Sequence, residues 1–152
     1  MRASRANGNG VLATIGYEAA RLGDLIGRLT GAGVKTVIDV RAVAASRRPG
    51  FSKTMLAASL NEAGIDYVHL RALGTPKLGR EAARAGRIGD MRAIFEAHLE
   101  EPQAQAQLAT ATGLAADGPV ALLCYEADAA RCHRAIVAER VRQNLDCEVV
   151  DL

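Results

Sequence analysis

The sequence predicts a three-layer α/β domain: a mainly parallel, five-stranded sheet with helices on both faces. Three observations predict it. Short β-rich runs alternate with helical patterns along the chain, which is the signature of βαβ crossovers. The middle runs are nearly continuous in apolar residues, as strands covered on both faces are. The length, 152 residues, is that of one domain, and a compact fold of this size buries roughly 70% of its unfolded surface without staples.

The strands are expected at Val11 to Ile15, Lys35 to Val40, Asp66 to Leu70, Pro119 to Tyr125 and Glu148 to Leu152. Between the first two, Leu22, Leu25, Ile26 and Leu29 have the i, i+3, i+4, i+7 spacing of a buried helical stripe, and Gly31 and Gly33 supply a stop. Leu56, Leu60 and Ala63 mark a second helix, ended by Gly64. Asp90 is placed to cap a third, carrying Met91, Ile94, Phe95 and Leu99; Pro102 breaks it, and an Ala/Gln-rich helix follows to about Ala116. A last helix is expected from Ala129 to Leu145, with Ile136, Val137 and Val141 inward. Two long connections, Ala42 to Ser52 and Arg71 to Gly89, read as functional loops. Met1 to Gly10 is polar and glycine-rich, has no apolar core of a signal peptide, and is expected to be a disordered tail ahead of a single domain over 11–152.

Composition narrows the function. Aromatic residues make up 3% of the chain and Trp is absent, so the stacking platforms of single-strand nucleic-acid binders are not expected. No apolar run approaches membrane-spanning length, so no membrane partner is expected. The three cysteines include no C-x-x-C pair, which points to reduced thiols in the cytoplasm. Net charge is +2, yet Arg41 to Arg92 holds ten basic and four acidic residues, a local +6. A basic middle suggests an anionic ligand, either a small molecule or a nucleic acid.

In an open parallel sheet, ligands bind beyond the carboxyl ends of the strands. The reactive side chains gather there. The first strand ends in Gly16-Tyr17-Glu18, the second in Asp39-Val40-Arg41, the third carries His69, and the fourth ends in Cys124-Tyr125-Glu126. The loop after the second strand offers Ser46, Arg47, Arg48, Phe51, Ser52 and Lys53; arginine forks suit phosphate or carboxylate, and the Ser52-Lys53 backbone opens a helix whose N–H groups favour an anion. Gly16 is expected to need positive φ or a close ligand approach. Asp128 is a natural N-cap, which would put Cys132 in the first helical turn as a favoured thiolate and His133 on the inward stripe as an acid/base. Tyr17 and Glu18 are the other candidates for catalysis, and Arg134 joins Arg41, Arg47 and Arg48 as an anion ligand. No standard zinc spacing is present, and Cys132 and His133, adjacent in a helix, would point about 100° apart. No metal and no cofactor is therefore expected.

These residues also carry a resemblance. T-I-G-Y-E at 14–18, D-V-R at 39–41, S-R-R-P-G-F-S-K at 46–53, Y-V-H-L at 67–70 and C-Y-E-x-D-x-x-x-C-H-R at 124–134 resemble, in order, the motifs of the family called domain of unknown function 488. The resemblance implies a small, soluble α/β protein of bacteria or archaea. Ala129 stands where the family usually has Pro, and Arg71 and Thr75 replace the Pro and second Gly of H-x-P-x-L-G-G.

Three functions are expected as alternatives. The first is an anion-binding cleft for a phosphate-bearing ligand, with phosphoester hydrolysis or transfer through His133 or Glu18. The second is thiol-dependent, rhodanese-like sulfur transfer, suggested by D-V-R after the second strand and a cysteine ending the fourth. The third is a non-catalytic binding or adaptor module.

Overall fold

The computed structural model describes residues 11–152; the tail expected over Met1 to Gly10 lies outside them. Five parallel strands, β1 (Val11–Gly16), β2 (Thr36–Asp39), β3 (Asp66–His69), β4 (Val120–Cys124) and β5 (Glu148–Asp151), form one sheet in the order β3-β2-β4-β1-β5. The three-layer α/β arrangement is as the alternation implied.

Helices α1 (Leu22–Gly31) and α2 (Lys53–Glu62) cover one face, where Leu25, Leu29, Leu56 and Leu60 pack on Ala13, Ile15, Val37, Ala121 and Leu123. The other face carries α4 (Ile88–Leu99), α5 (Pro102–Asp117) and α6 (Arg134–Asn144), whose Met91, Phe95, Leu99, Leu108, Val137 and Val141 meet Leu12, Ile38, Val120 and Leu122. Every residue of β4 is buried, and its side chains serve both cores in alternation, which is why the run shows no polar face.

The details differ from the pattern in three places. The Arg71 to Gly89 connection holds a 3-10 turn (Arg71–Leu73) and a helix, α3 (Lys77–Arg84), whose few apolar residues hid it from periodicity. Helix α4 begins at Ile88, before Asp90, which pairs with Arg87 rather than capping. Asp128 caps only a 3-10 turn (Ala129–Arg131), accepting from the Ala130 N–H; Cys132 is then extended (φ −127°, ψ 147°) and α6 starts at Arg134. The expected helix from Ala129 is broken at the cysteine.

The topology fixes where a ligand fits. From β1 the chain leaves over the α1 face towards β2. From β4 it leaves over the opposite face, through α6, towards β5. Adjacent strands whose connections part to opposite faces leave a crevice at their carboxyl ends.

Candidate functional site

The crevice is a pocket of about 360 Å³. Tyr17 enters from β1, Arg41 and Val43 from β2, Cys124, Tyr125 and Glu126 from β4, and Arg131, Cys132 and His133 from the segment leading into α6. Arg80, Arg84, Thr75 and Met91 close it from α3 and its neighbours. Tyr17, Arg41 and His133, delivered by three different elements, share one cavity, as the strand-end argument required.

Beneath the pocket lies a buried polar network. The Asp39 carboxylate, fully buried, accepts from Arg41 Nε at 2.9 Å, Arg41 Nη2 at 2.7 Å, the Arg41 backbone N–H at 3.0 Å and the Tyr67 hydroxyl. Arg41 Nη1 donates to the Phe51 carbonyl at 2.8 Å and to the Tyr17 hydroxyl at 3.1 Å. Burial alone would lower the Arg41 pKa, but the Asp39 carboxylate outweighs it and holds the guanidinium above its usual range. Burial and the bond to Asp39 both raise Tyr67. Tyr17 stacks on Phe51 at 4.6 Å between ring centroids, so the pair anchors the loop after β2 to the end of β1.

The arginines expected to meet a ligand are mostly engaged within the fold. Arg48 donates to the backbone carbonyls of Tyr17, Glu18 and Ala20. Arg134, 1% exposed, donates to the Glu126 and Ala127 carbonyls and, at 3.3 Å, to Cys124 Sγ. Ser46 and Ser52 bond each other, closing the loop. Arg47 and Lys53 are exposed and do not line the pocket. His69 Nε2 meets the Arg41 carbonyl at 2.8 Å, away from the cavity. Glu18 lies outside too, its carboxylate accepting the Ala127 N–H at 3.0 Å. Gly16 does not have the positive φ that was one of its two expected reasons; the Glu126 carbonyl occupies the space a Cβ would need.

Besides the buried Arg41, the described cations that line the pocket are Arg80, Arg84 and Arg131. Arg80 and Arg84 are not among the expected ligands because α3 reads as loop, and Arg131, in the turn before α6, is not among them either. The signal was present: Arg80 and Arg84 are spaced i, i+4, the spacing of one helix face.

The floor holds sulfur. Cys124, Cys132 and His133 are all buried, and their ligating atoms lie within 4.8 Å of one another. Cys124 and Cys132, expected as reduced thiols, bring their Sγ atoms to bonding distance, while Cys147 stands apart. The 3-10 turn folds the chain back over the strand end it has just left and so brings together two cysteines eight residues apart. Cys132 and His133 do not diverge as neighbours on a helix would: extended backbone at Cys132 places its Sγ 3.7 Å from His133 Nδ1. His133 Nε2 faces the Val40 carbonyl at 2.7 Å, which fixes it as the N–H donor and leaves Nδ1 as the lone pair. Burial raises the pKa of Glu126, which stands beside Cys124.

Burial, reinforced by the nearby Arg134 charge, lowers the His133 pKa to about 4, against the pull of the Val40 carbonyl and Asp39. The unfolded chain therefore takes up a proton near pH 6.5 that the folded chain refuses until about pH 4. Stability from this group is complete above pH 6.5 and is lost as pH falls towards 4, by about 3 kcal/mol. Urea titrations of chelator-treated protein from pH 7.5 to 4.5 should show that decline, and His133→Gln should flatten it.

The fold and site define a parallel α/β protein with a strand-end pocket, arginines at its rim and a Cys-Cys-His floor. The family model for the domain of unknown function DUF488 matches residues 21–141, and the chain belongs to that family. No curated protein and no solved structure matches it. Among the described residues, no helix is long and apolar enough to cross a membrane.

Proposed function

We propose that the pocket binds a phosphate-bearing ligand, held by Arg80, Arg84 and Arg131. The observation that carries this reading is the convergence of these three arginines, from α3 and the turn before α6, on one concave site at the strand ends. The volume is that of a small-molecule site, and guanidinium forks match phosphate oxygens. Tyr17 and Tyr125, perpendicular at 5.3 Å, add aromatic edges on which a base or sugar can rest. A shallower groove continues past Ala42, Val43 and Thr75 to Arg71 and Lys77, so a nucleotide or the end of a strand fits better than the face of a duplex.

Calorimetry with inorganic phosphate, mononucleotides and short oligonucleotides at two salt concentrations tests this. Arg84→Ala and Arg131→Ala remove exposed side chains and should each weaken phosphate-ligand binding about tenfold without lowering the unfolding midpoint. Absence of binding at low salt, or binding indifferent to both variants, refutes the reading.

A second reading, thiol chemistry, is favoured by the Cys124–Cys132 bond and by the Arg134 N–H directed at Cys124 Sγ, which stabilises a thiolate there. An external thiolate attacking this bond would form a mixed disulfide with one sulfur and release the other as a thiolate. Mass-spectrometric alkylation profiling against pH tests it. Two thiols of ordinary pKa in the reduced protein would speak against it.

A further inference from the structure

We propose that, once reduced, Cys124, Cys132 and His133 hold a thiophilic divalent cation of the zinc class, with the fourth coordination position open to the pocket.

Chemistry and geometry agree on this. Two sulfurs and one imidazole nitrogen form a borderline-soft donor set suited to Zn²⁺. Three protein ligands with a vacant position are the arrangement of zinc sites that act on a bound water or substrate, whereas closed four-ligand sites are structural. With metal–sulfur bonds near 2.3 Å and metal–nitrogen bonds near 2.0 Å, the S···N edge of a tetrahedron is about 3.6 Å. Cys132 Sγ and His133 Nδ1 lie 3.7 Å apart. The Cys124 and Cys132 Cα atoms are 7.6 Å apart, wider than the usual disulfide span of about 4.4–6.8 Å. That width leaves room for an ion between two thiolates.

The surroundings fit as well. A ligating histidine generally donates its other ring N–H to a carbonyl or carboxylate. His133 Nε2 does this to the Val40 carbonyl at 2.7 Å, and Nδ1 is thereby the free donor atom. Arg134 Nη1, 3.3 Å from Cys124 Sγ, supplies an N–H to the thiolate. Two thiolates neutralise the divalent charge, so the buried ion needs no further counter-ion. All three ligands are buried yet line the cavity, so a bound ion would meet whatever enters.

The disulfide and the metal are alternative states of the same sulfurs. Two equivalents of an external thiol reduce the bond, giving two cysteine thiols and one external disulfide. The cation then displaces both thiol protons to solvent. In reverse, an external disulfide accepts the two electrons, the Cys124–Cys132 bond re-forms, two external thiols leave with two protons from solvent, and the ion is released. The metal and the arginine rim are separable, because anion binding is measurable on chelated protein and metal binding without phosphate.

The test is cobalt titration of the full chain, reduced with a phosphine and freed of metal. Binding should be one to one, with thiolate-to-cobalt charge-transfer absorption and intense tetrahedral d–d bands, and Zn²⁺ should displace the ion. Cys124→Ser and Cys132→Ser should abolish the charge-transfer contribution of one sulfur each. His133→Gln should weaken affinity at least about tenfold to a hundredfold, the cost of losing even an outer partner. Cys147→Ser should leave all of this unchanged, since Cys147 lies apart from the cluster. Azide, a small anion that needs no arginine rim, should shift the d–d bands. A natively folded, fully reduced protein that shows no charge-transfer band overturns the site, as does a band of undiminished intensity in both serine variants. Bands that ignore azide overturn the open position.

Discussion

Asp39→Asn is expected to lower the unfolding free energy by about 3–5 kcal/mol, and the unfolding midpoint by roughly 10 °C for a domain of this size. The carboxylate is fully buried and is the counter-charge of Arg41, itself 6% exposed. Asparagine matches its volume but carries no charge, and its amide group would set donors against the donors of Arg41 and Tyr67. The guanidinium would then be buried without a compensating charge, the costly case for a broken pair. The damage reaches the pocket. Arg41 Nη1 also holds the Phe51 carbonyl and the Tyr17 hydroxyl, so losing its anchor frees the β2 loop and the Tyr17 wall together. Phosphate-ligand binding should therefore fall with stability. Asp39→Leu combined with Arg41→Leu should recover part of the stability, since neither charge is then stranded, but not the binding. If Asp39→Asn unfolds at the wild-type urea midpoint, the network does not hold this edge.

The expected effect explains why some of the site was legible in the sequence. An aspartate and an arginine ending an otherwise apolar strand must find partners where the strand emerges. Tyr17, Arg41, Cys124 and His133 were placed at one edge on such grounds, and they share it. What could not be read was which arginines satisfy the fold and which face outward. Arg41, Arg48 and Arg134 look like ligand arginines by type and position. Their donors are drawn inward by the Asp39 carboxylate for Arg41, by the Glu126 and Ala127 carbonyls for Arg134 and by the distant Tyr17, Glu18 and Ala20 carbonyls for Arg48. Arg80 and Arg84 were hidden by the weak apolar content of α3, which packs by Gly79 and Ala82 rather than by a leucine stripe. The Cys132–His133 geometry turned on one residue. Asp128 suggested a helix start, but the turn it caps closes after Arg131, and the extended step at Cys132 decides where both side chains go.

Gly16→Ala is expected to cost on the order of 4 kcal/mol, among the largest effects a single methyl group can have. Gly16 ends β1 opposite Cys124, with ordinary backbone angles, so conformational freedom is not what it provides. It provides space. An added Cβ would stand 1.7 Å from the Glu126 carbonyl oxygen and 3.0 Å from Arg134 Nη1. No rotamer relieves a clash with backbone, and this carbonyl is not free to retreat. Arg134 binds it, and the adjoining strand ends are tied by Glu18 N–H to the Tyr125 carbonyl at 2.8 Å. Relief requires moving the end of β1 or the loop after β4, and that loop carries Tyr125 and Glu126 into the pocket next to Cys124. Gly16→Ala should thus lose stability, phosphate-ligand binding and cobalt binding together. Gly27→Ala is the matched control. It lies on the exposed side of α1 with nothing within 4 Å of the new methyl, so it should gain up to about 1 kcal/mol from helix propensity and leave both binding events intact. Equal midpoints for the two variants would show that the carbonyl can move aside. The cysteine floor would then be set by something other than the contact between the ends of β1 and β4.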